Sequence, residues 1–139
     1  MEEQYVIFRL GEEEYGLDIL TVQEIVRPQE ITKLPNSPEH VLGLVDLREE
    51  VIPIIDLRRF FNLGKAEPND DNRIIVINQQ AHAFGIYVDA VCEVLQINLK
   101  HIKTNEELDN NLNKEMLKGV AKVEDRLIIL LDFATASFR

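Results

Sequence analysis

The sequence predicts a mainly β protein built from two intertwined or packed five-stranded barrels of the Src-homology-3-like kind, with short helices. Three observations indicate barrels: the chain repeats itself once, each half contains short apolar runs separated by turn residues, and no long helical pattern is available to cover a sheet. At 139 residues the chain has about the length of one domain. A barrel of roughly 60 residues would be marginally stable alone, so we expect the two to pack on one another.

An internal duplication appears when the chain is compared with itself. At an offset of 69 residues, "YGLDILTVQEIV" (15 to 26) aligns with "FGIYVDAVCEVL" (84 to 95). Further along the offset becomes 76, and "GLVDLREEVIPIIDL" (43 to 57) aligns with "GVAKVEDRLIILLDF" (119 to 133). The difference between the offsets predicts an insertion in the second half, within the polar segment 103 to 115.

Each half is predicted to form two hairpins. The pairs are 5–10 with 15–19 and 43–48 with 51–55 in the first half, and 73–78 with 82–88 and 119–123 with 126–131 in the second. Short helical pieces are predicted at 21–26, 56–61 and 132–137. The segment 62–72 is polar and contains glycine and proline, so it is a linker between one subdomain at 5–61 and another at 73–136 of a single domain spanning 1–139.

Several residues of this pattern have predicted structural roles. Asp56 and Asp132 each follow an apolar strand, which is typical of a helix cap. Gly16 and Gly85 are expected at a bulge or tight bend, and Pro53 at an edge strand or bulge. The run 51–55 is apolar on both faces, so either the other barrel covers its second face or a ligand groove lies between the barrels.

The composition excludes several classes of function. The net charge of −10 repels phosphate backbones, so nucleic acid is not expected as a partner. No apolar run approaches the roughly 20 residues that span a bilayer, which excludes direct membrane insertion, and the acidic N-terminus favours a cytoplasmic protein over a secreted one. A lone Cys92 excludes an intrachain disulfide. The two serines and three histidines lack the contexts of a nucleophile or a metal ligand set, so no enzyme, metal or cofactor is expected.

Arg48 breaks the duplication because Glu124 is its counterpart, just as Lys122 replaces Asp46. One interpretation is a solvated outer face of the strand. The other is an interface anchor, since the guanidinium forms paired hydrogen bonds while its stem packs on apolar surface. An enzyme or small-ligand domain that uses a groove between the barrels is a further alternative, and it requires a pocket with converging carboxylates.

The segments "YGLDILTVQEIV", "GLVDLREEVIPIIDLRRFF" and "LKGVAKVEDRLIILLD" resemble the CheW family of bacterial chemotaxis coupling proteins, over nearly the whole chain from about Tyr5 to Ala136. The resemblance implies the double-barrel fold and a noncatalytic adaptor without a cofactor. It also implies a monomer that assembles in arrays at the cytoplasmic side of the membrane. Its partners would be the cytoplasmic tip of methyl-accepting chemoreceptors and the regulatory domain of the histidine kinase CheA.

Site residues follow from the resemblance by position. The receptor is expected at the groove between the halves, with contacts from Val22, Glu24, Arg48, Val51 and Ile74, and Glu24 and Arg48 could pair across the groove mouth. The kinase is expected near Val91. An alternative is a CheW-like paralogue of another chemosensory pathway that links kinase or fills array rings with weak receptor binding.

The chain departs from the family at one turn. The usual pattern is Asn-Leu-Arg-Gly, whereas this sequence reads Asp46-Leu47-Arg48-Glu49. A two-residue turn needs positive φ, so Glu49 is expected in a left-handed conformation at a cost on the order of 1 kcal/mol, or in another turn type. Asp46, Glu49 and Glu50 would compete with a receptor carboxylate for Arg48.

Overall fold

The computed structural model describes residues 1–64, 68–79, 82–104 and 116–133. This part of the chain is mainly β, with two 3₁₀ turns at Ile19–Thr21 and Leu99–His101. Its strands and helix are β1 (Glu2–Leu10), β2 (Glu13–Asp18), β3 (Val22–Val26), β4 (Val41–Leu47), β5 (Glu50–Asp56), α1 (Leu57–Phe60), β6 (Arg73–Gln79), β7 (His82–Val88), β8 (Ala90–Asn98), β9 (Ile102–Thr104), β10 (Leu117–Val123) and β11 (Arg126–Leu131).

The strands form two sheets, and each sheet takes strands from both halves of the repeat. The first sheet has the order β8-β1-β2-β11-β10-β9, and the second has the order β3-β6-β7-β5-β4. The first hairpin of each half therefore lies in the sheet of the other half, held by the parallel pairs β2·β11 and β5·β7. Of the two expected arrangements, the barrels are intertwined, and the halves 5–61 and 73–136 describe the repeat but not the content of either sheet.

The duplication holds in the structure. Gly43 lies so close to the next segment that a Cβ there would be 2.2 Å from the Thr32 carbonyl oxygen, and a Cβ at Gly119 would be 2.3 Å from the Lys103 oxygen. Thr32 forms an isolated bridge with Leu44, at the place where β9 pairs with β10 in the other half. The short strand β9 gives the first sheet a sixth strand, one more than predicted.

Three clusters of buried residues fill the molecule. One lies within the first sheet around Tyr5, Ile7 and Ile128, and another within the second sheet around Ile52 and Ile54. The third, the inter-sheet core, joins the two sheets. Its members come from the first sheet (Val6, Phe8, Leu10, Tyr15, Leu17, Leu131), from the second sheet (Ile55, Ile75, Ile77, Ile86, Val88) and from Leu57, Met116 and Phe133 outside the strands. On the second apolar face of β5, Ile55 is thus covered by the other sheet, as the first alternative predicted, whereas Val51 on the same face stays exposed.

Four local predictions meet different outcomes. Asp56 caps α1, since its side chain accepts a hydrogen bond from the Arg58 N–H at 3.1 Å, which confirms the prediction. The helix predicted at 21–26 is wrong, because Thr21 ends a 3₁₀ turn and Val22–Val26 form β3 on the edge of the second sheet. The insertion predicted at 103–115 and the helix at 132–137, which Asp132 would cap, lie mostly outside the described residues.

Gly16 and Gly85 are not at bulges. Both lie inside regular strand pairs, and the reason for glycine is space: a Cβ at Gly16 would be 2.9 Å from the Leu130 side chain, and one at Gly85 would be 2.7 Å from that of Ile54. Pro53 is not at an edge either, since β5 lies between β7 and β4. Pairing with β7 begins one residue later, at Ile54, so no bond of that ladder requires the N–H that proline lacks.

A polar clamp ties the ends of several elements together. The Asp89 carboxylate accepts from the Arg58 guanidinium at 2.9 Å and from the Gly11 N–H at 2.6 Å. Nearby, the buried Asn72 side chain donates to the Asp89 carbonyl and accepts from the Tyr87 hydroxyl. The clamp joins the β1–β2 turn of the first sheet to α1 and to the end of β7.

Candidate partner-binding site

The turn between β4 and β5 forms the centre of the predicted receptor site. Leu47 pairs with Glu50, which leaves Arg48 and Glu49 as a two-residue turn with φ of 51° and 71°. Positive φ at both central residues is the pattern of a type I′ hairpin turn, where glycine and asparagine are preferred. The left-handed conformation predicted for Glu49 is confirmed.

Arg48 makes an ion pair across the barrel. Its Nη2 lies 3.2 Å from Glu24 Oε1, and the Arg48 side chain is 79% exposed whereas that of Glu24 is 17% exposed. Glu24 belongs to β3 and Arg48 follows β4, and these are the two edge strands of the second sheet. Strands four positions apart in a flat sheet would be about 19 Å from one another. The ion pair therefore requires the sheet to curl into a barrel, and the predicted pairing of these two residues is confirmed.

Two apolar side chains near this ion pair are exposed to solvent. Val51 is 61% exposed and Ile25 is 39% exposed. Val51 shares a strand face with Ile55, and Ile25 pairs in register with Ile75, and both of these partners belong to the inter-sheet core. Val51 and Ile25 are therefore exposed margins of the face on which the two sheets pack.

The other two predicted receptor contacts are less accessible. Val22 is half-buried and packs against the inter-sheet core. Ile74 is 0% exposed and lies in the core of the second sheet, so its side chain supports the surface from beneath. The structure thus brings Glu24 and Arg48 into contact and leaves Val51 exposed, but it does not bring Ile74 to the surface.

A small cavity of about 120 Å³ lies between the two sheets beside Val22. Ile77, the register partner of Val22, forms one side of it. Its other lining residues are Leu17, Asp18, Thr21, Asn78, Lys118, Leu131, Asp132 and Phe133. At about 120 Å³ the cavity is smaller than the roughly 300–1,000 Å³ of typical small-molecule pockets. Among the described residues, no group of three or more His, Cys, Asp or Glu is placed to hold a metal ion.

Comparison with known proteins gives the family. The CheW-like domain matches residues 4–136. The chain belongs to the CheW family. The chemotaxis protein CheW of Klebsiella aerogenes is 37% identical over 94% of this chain and 78% of its own length. The CheW of Helicobacter pylori is 36% identical over 92% of this chain and 77% of its own. The crystal structure of the scaffolding protein TtCheW from Thermoanaerobacter tengcongensis superposes with a TM-score of 0.86 at 38% identity, covering 95% of this chain and 85% of that one.

The repeat places an equivalent surface on the first sheet. There the Arg126 guanidinium lies 2.9 Å from the Glu93 carboxylate and 2.6 Å from that of Glu14. The hydrogen bond from Arg126 lowers the pKa of the Glu14 carboxyl below its ordinary value. Val94 and Leu127, the repeat counterparts of Ile25 and Val51, are 50% and 64% exposed.

Val91, the predicted kinase contact, lies on β8 of the same sheet. It is half-buried and packs against the inter-sheet core. The following residue, Cys92, is exposed at a bulge, because Ile7 pairs with Glu93 and Phe8 with Val91. The second sheet has its counterpart at Gln23, between the paired residues Val22 and Glu24 of β3.

Sequence reasoning missed Ile25 and Leu127 as exposed apolar residues. The cause for Ile25 is the wrong helical assignment of 21–26, which gave this residue no strand face. Leu20 was missed as well and is 90% exposed in the 3₁₀ turn before β3. The available signal was the duplication itself, which aligns Val51 with Leu127 and Ile25 with Val94.

No helix of the described residues is long and apolar enough to cross a membrane.

Proposed function

We propose that this chain is a noncatalytic adaptor that couples transmembrane chemoreceptors to the histidine kinase CheA in a bacterial chemotaxis array. Membership of the CheW family supports this role, and TtCheW is described as a scaffolding protein. The observation that carries the proposal is the ion pair between the exposed Arg48 and the largely buried Glu24, together with exposed Val51 on β5. Interface hot spots combine an arginine with apolar contacts in this way.

The receptor tip is assigned to the β4–β5 turn of the second sheet and the adjoining margin of the inter-sheet core. Glu24, Arg48, Val51 and Val22 form this surface, and Ile74 supports it from within. The regulatory domain of CheA is assigned to the first sheet near Val91. The adaptor would then work at the cytoplasmic side of the membrane as a monomer that enters arrays, without a cofactor.

One feature favours a second candidate, a CheW-like paralogue that links kinase or fills array rings with weak receptor binding. Asp46, Glu49 and Glu50 surround Arg48, where the family pattern has asparagine and glycine at two positions. Relatives outside the CheW name match over nearly the whole chain, since FrzA of Myxococcus xanthus is 29% identical over 96% of it.

The test is calorimetric binding of a chemoreceptor tip fragment encoded in the same genome, with Val51→Ser compared with Leu127→Ser. Both substitutions remove an exposed aliphatic side chain at equivalent positions of the repeat, so their effects on stability are matched. We expect Val51→Ser to weaken tip binding by about tenfold, as for an interface residue worth more than 1 kcal/mol, and Leu127→Ser to leave it within about twofold. Equal losses for the two variants, or no binding by the wild type, would refute the assignment of the receptor to this turn.

A further inference from the structure

An exposed apolar residue follows each turn, Val51 in the first half and Leu127 in the second. Its neighbour on the paired strand is an acid in the first half and a base in the second. Val51 pairs in register with Asp46, and Leu127 pairs in register with Lys122. Register partners lie side by side on one face, with Cβ atoms about 5 Å apart. A partner that covers Val51 therefore meets a carboxylate, and one that covers Leu127 meets an ammonium group.

The rest of each turn reinforces this contrast. Residues 46–50 contain three acids and one base, a net charge of −2, and residues 122–126 contain two acids and two bases, a net charge of 0. Glu24 pairs with Arg48 and compensates its charge, so the carboxylates of Asp46, Glu49 and Glu50 are left without a compensating cation among these residues. All three are exposed. The surface around Val51 is thus apolar at its centre and negative at its rim.

We infer that the Val51 surface selects a partner segment whose aliphatic side chains are flanked by lysine or arginine. This inference rests on the proposed function and names the chemistry of the receptor-tip segment at that site. The partner charge inferred here is the opposite of the simple expectation for an interface arginine. In that expectation Arg48 meets a partner carboxylate, and the three acids oppose binding. Complementary charge at the rim of an interface mainly raises the association rate and is screened by salt.

The two views predict opposite signs for one experiment. The double variant Asp46→Asn/Glu49→Gln removes two negative charges from the rim while it keeps side-chain size, Arg48 and Val51. The control Glu124→Gln/Asp125→Asn makes the same change in net charge on the other turn. The probe is the chemoreceptor tip fragment from the same genome, measured at low and at high salt, with melting curves to show that both variants fold.

If the partner is basic, Asp46→Asn/Glu49→Gln should lower the association rate and the affinity by roughly three- to tenfold at low salt. The affinity of this variant should also depend less on salt than that of the wild type. The control variant should remain within about twofold of the wild type. Tighter binding by Asp46→Asn/Glu49→Gln would overturn the inference and show that the partner presents carboxylates to Arg48. An unchanged affinity, or equal effects of both double variants, would overturn it too, and absence of binding by the wild type would remove the proposed function and this inference with it.

Discussion

The two hairpin turns at 47–50 and 123–126 occupy equivalent places in the repeat but hold their arginines differently. Arg48 lies in the turn itself, is 79% exposed and contacts one carboxylate through one nitrogen. Arg126 lies at the start of β11, is 32% exposed and bridges two carboxylates, of Glu14 and Glu93. Both join one edge of a curled sheet to a turn at the other side. The difference indicates that Arg126 serves the fold, whereas most of the Arg48 side chain stays open to solvent.

The largest effect is expected at Gly43 and Gly119, where the two halves share a close approach between backbone segments. Gly43→Ala and Gly119→Ala should each destabilise the protein by about 3 kcal/mol or more, since each new Cβ would collide with a backbone carbonyl of the adjoining segment. Urea denaturation measures both. Gly64→Ala is the control, because nothing lies within 4 Å of its Cβ position and only its φ of 82° opposes alanine. A loss at Gly43 or Gly119 no larger than at Gly64 would contradict the close approach.

The second prediction separates the two arginines. Arg126→Ala should cost about 1–2 kcal/mol in the free energy of unfolding, because it leaves the partly buried Glu14 carboxylate and the exposed Glu93 carboxylate without their shared cation. Arg48→Ala should cost less than about 1 kcal/mol, as is usual for an exposed ion pair. Chemical denaturation of the two variants under identical conditions makes the comparison, and equal costs would show that Arg48 is also a structural tie.

The third prediction concerns the two turns. Glu49→Gly should stabilise the protein by up to about 1 kcal/mol, since glycine adopts a φ of 71° without strain. In the second turn the positive φ belongs to Glu124, at 55°, so Glu124→Gly should stabilise and Asp125→Gly should not. Thermal melting of the three variants makes the comparison. A gain in stability for Asp125→Gly and none for Glu124→Gly would contradict the assignment of the positive φ to Glu124.

The smallest effect is a pH dependence of the first sheet. Because the pKa of Glu14 is lowered in the folded protein, its ion pair contributes stability above the ordinary glutamate pKa of about 4.3, and this contribution is lost as the pH falls through the folded pKa. Glu14→Gln should therefore show a flatter loss of stability below that pH than the wild type. Denaturation series in acid buffers measure the slopes, with the exposed Glu12→Gln as control. Identical slopes for the wild type and Glu14→Gln would remove this role of Arg126.

Much of the fold could be predicted from the sequence, because duplication and period-two alternation are local signals. The eight strands of the four hairpins, the cap at Asp56 and the left-handed Glu49 follow from such signals. The exchange of hairpins between the sheets could not be predicted, since strand patterns do not specify which strands pair across the molecule. The burial of Ile74 has the same cause: "RIIVI" is apolar on both faces, so the sequence does not distinguish a surface side chain from a core one.

The candidate site was predictable only in part. The Glu24–Arg48 pair and Val51 were found by position, but Ile25 and Leu20 were hidden by the wrong helical assignment of 21–26. The strand there has a bulge at Gln23, which interrupts alternation and disguises its period. The sequence shows the charged residues around the turn. It does not show which of them lie beside Val51 on one face, because only the strand register gives that.

The proposed adaptor would hold a receptor and a kinase at the same time on different sheets. Its most direct test mixes the chain with the receptor-tip fragment and the regulatory domain of CheA from the same genome, and measures the mass of the complexes by light scattering after size exclusion. We predict one complex that contains all three components, which loses the tip fragment in Val51→Ser and keeps the kinase domain. Two binary complexes that exclude one another would contradict the adaptor account.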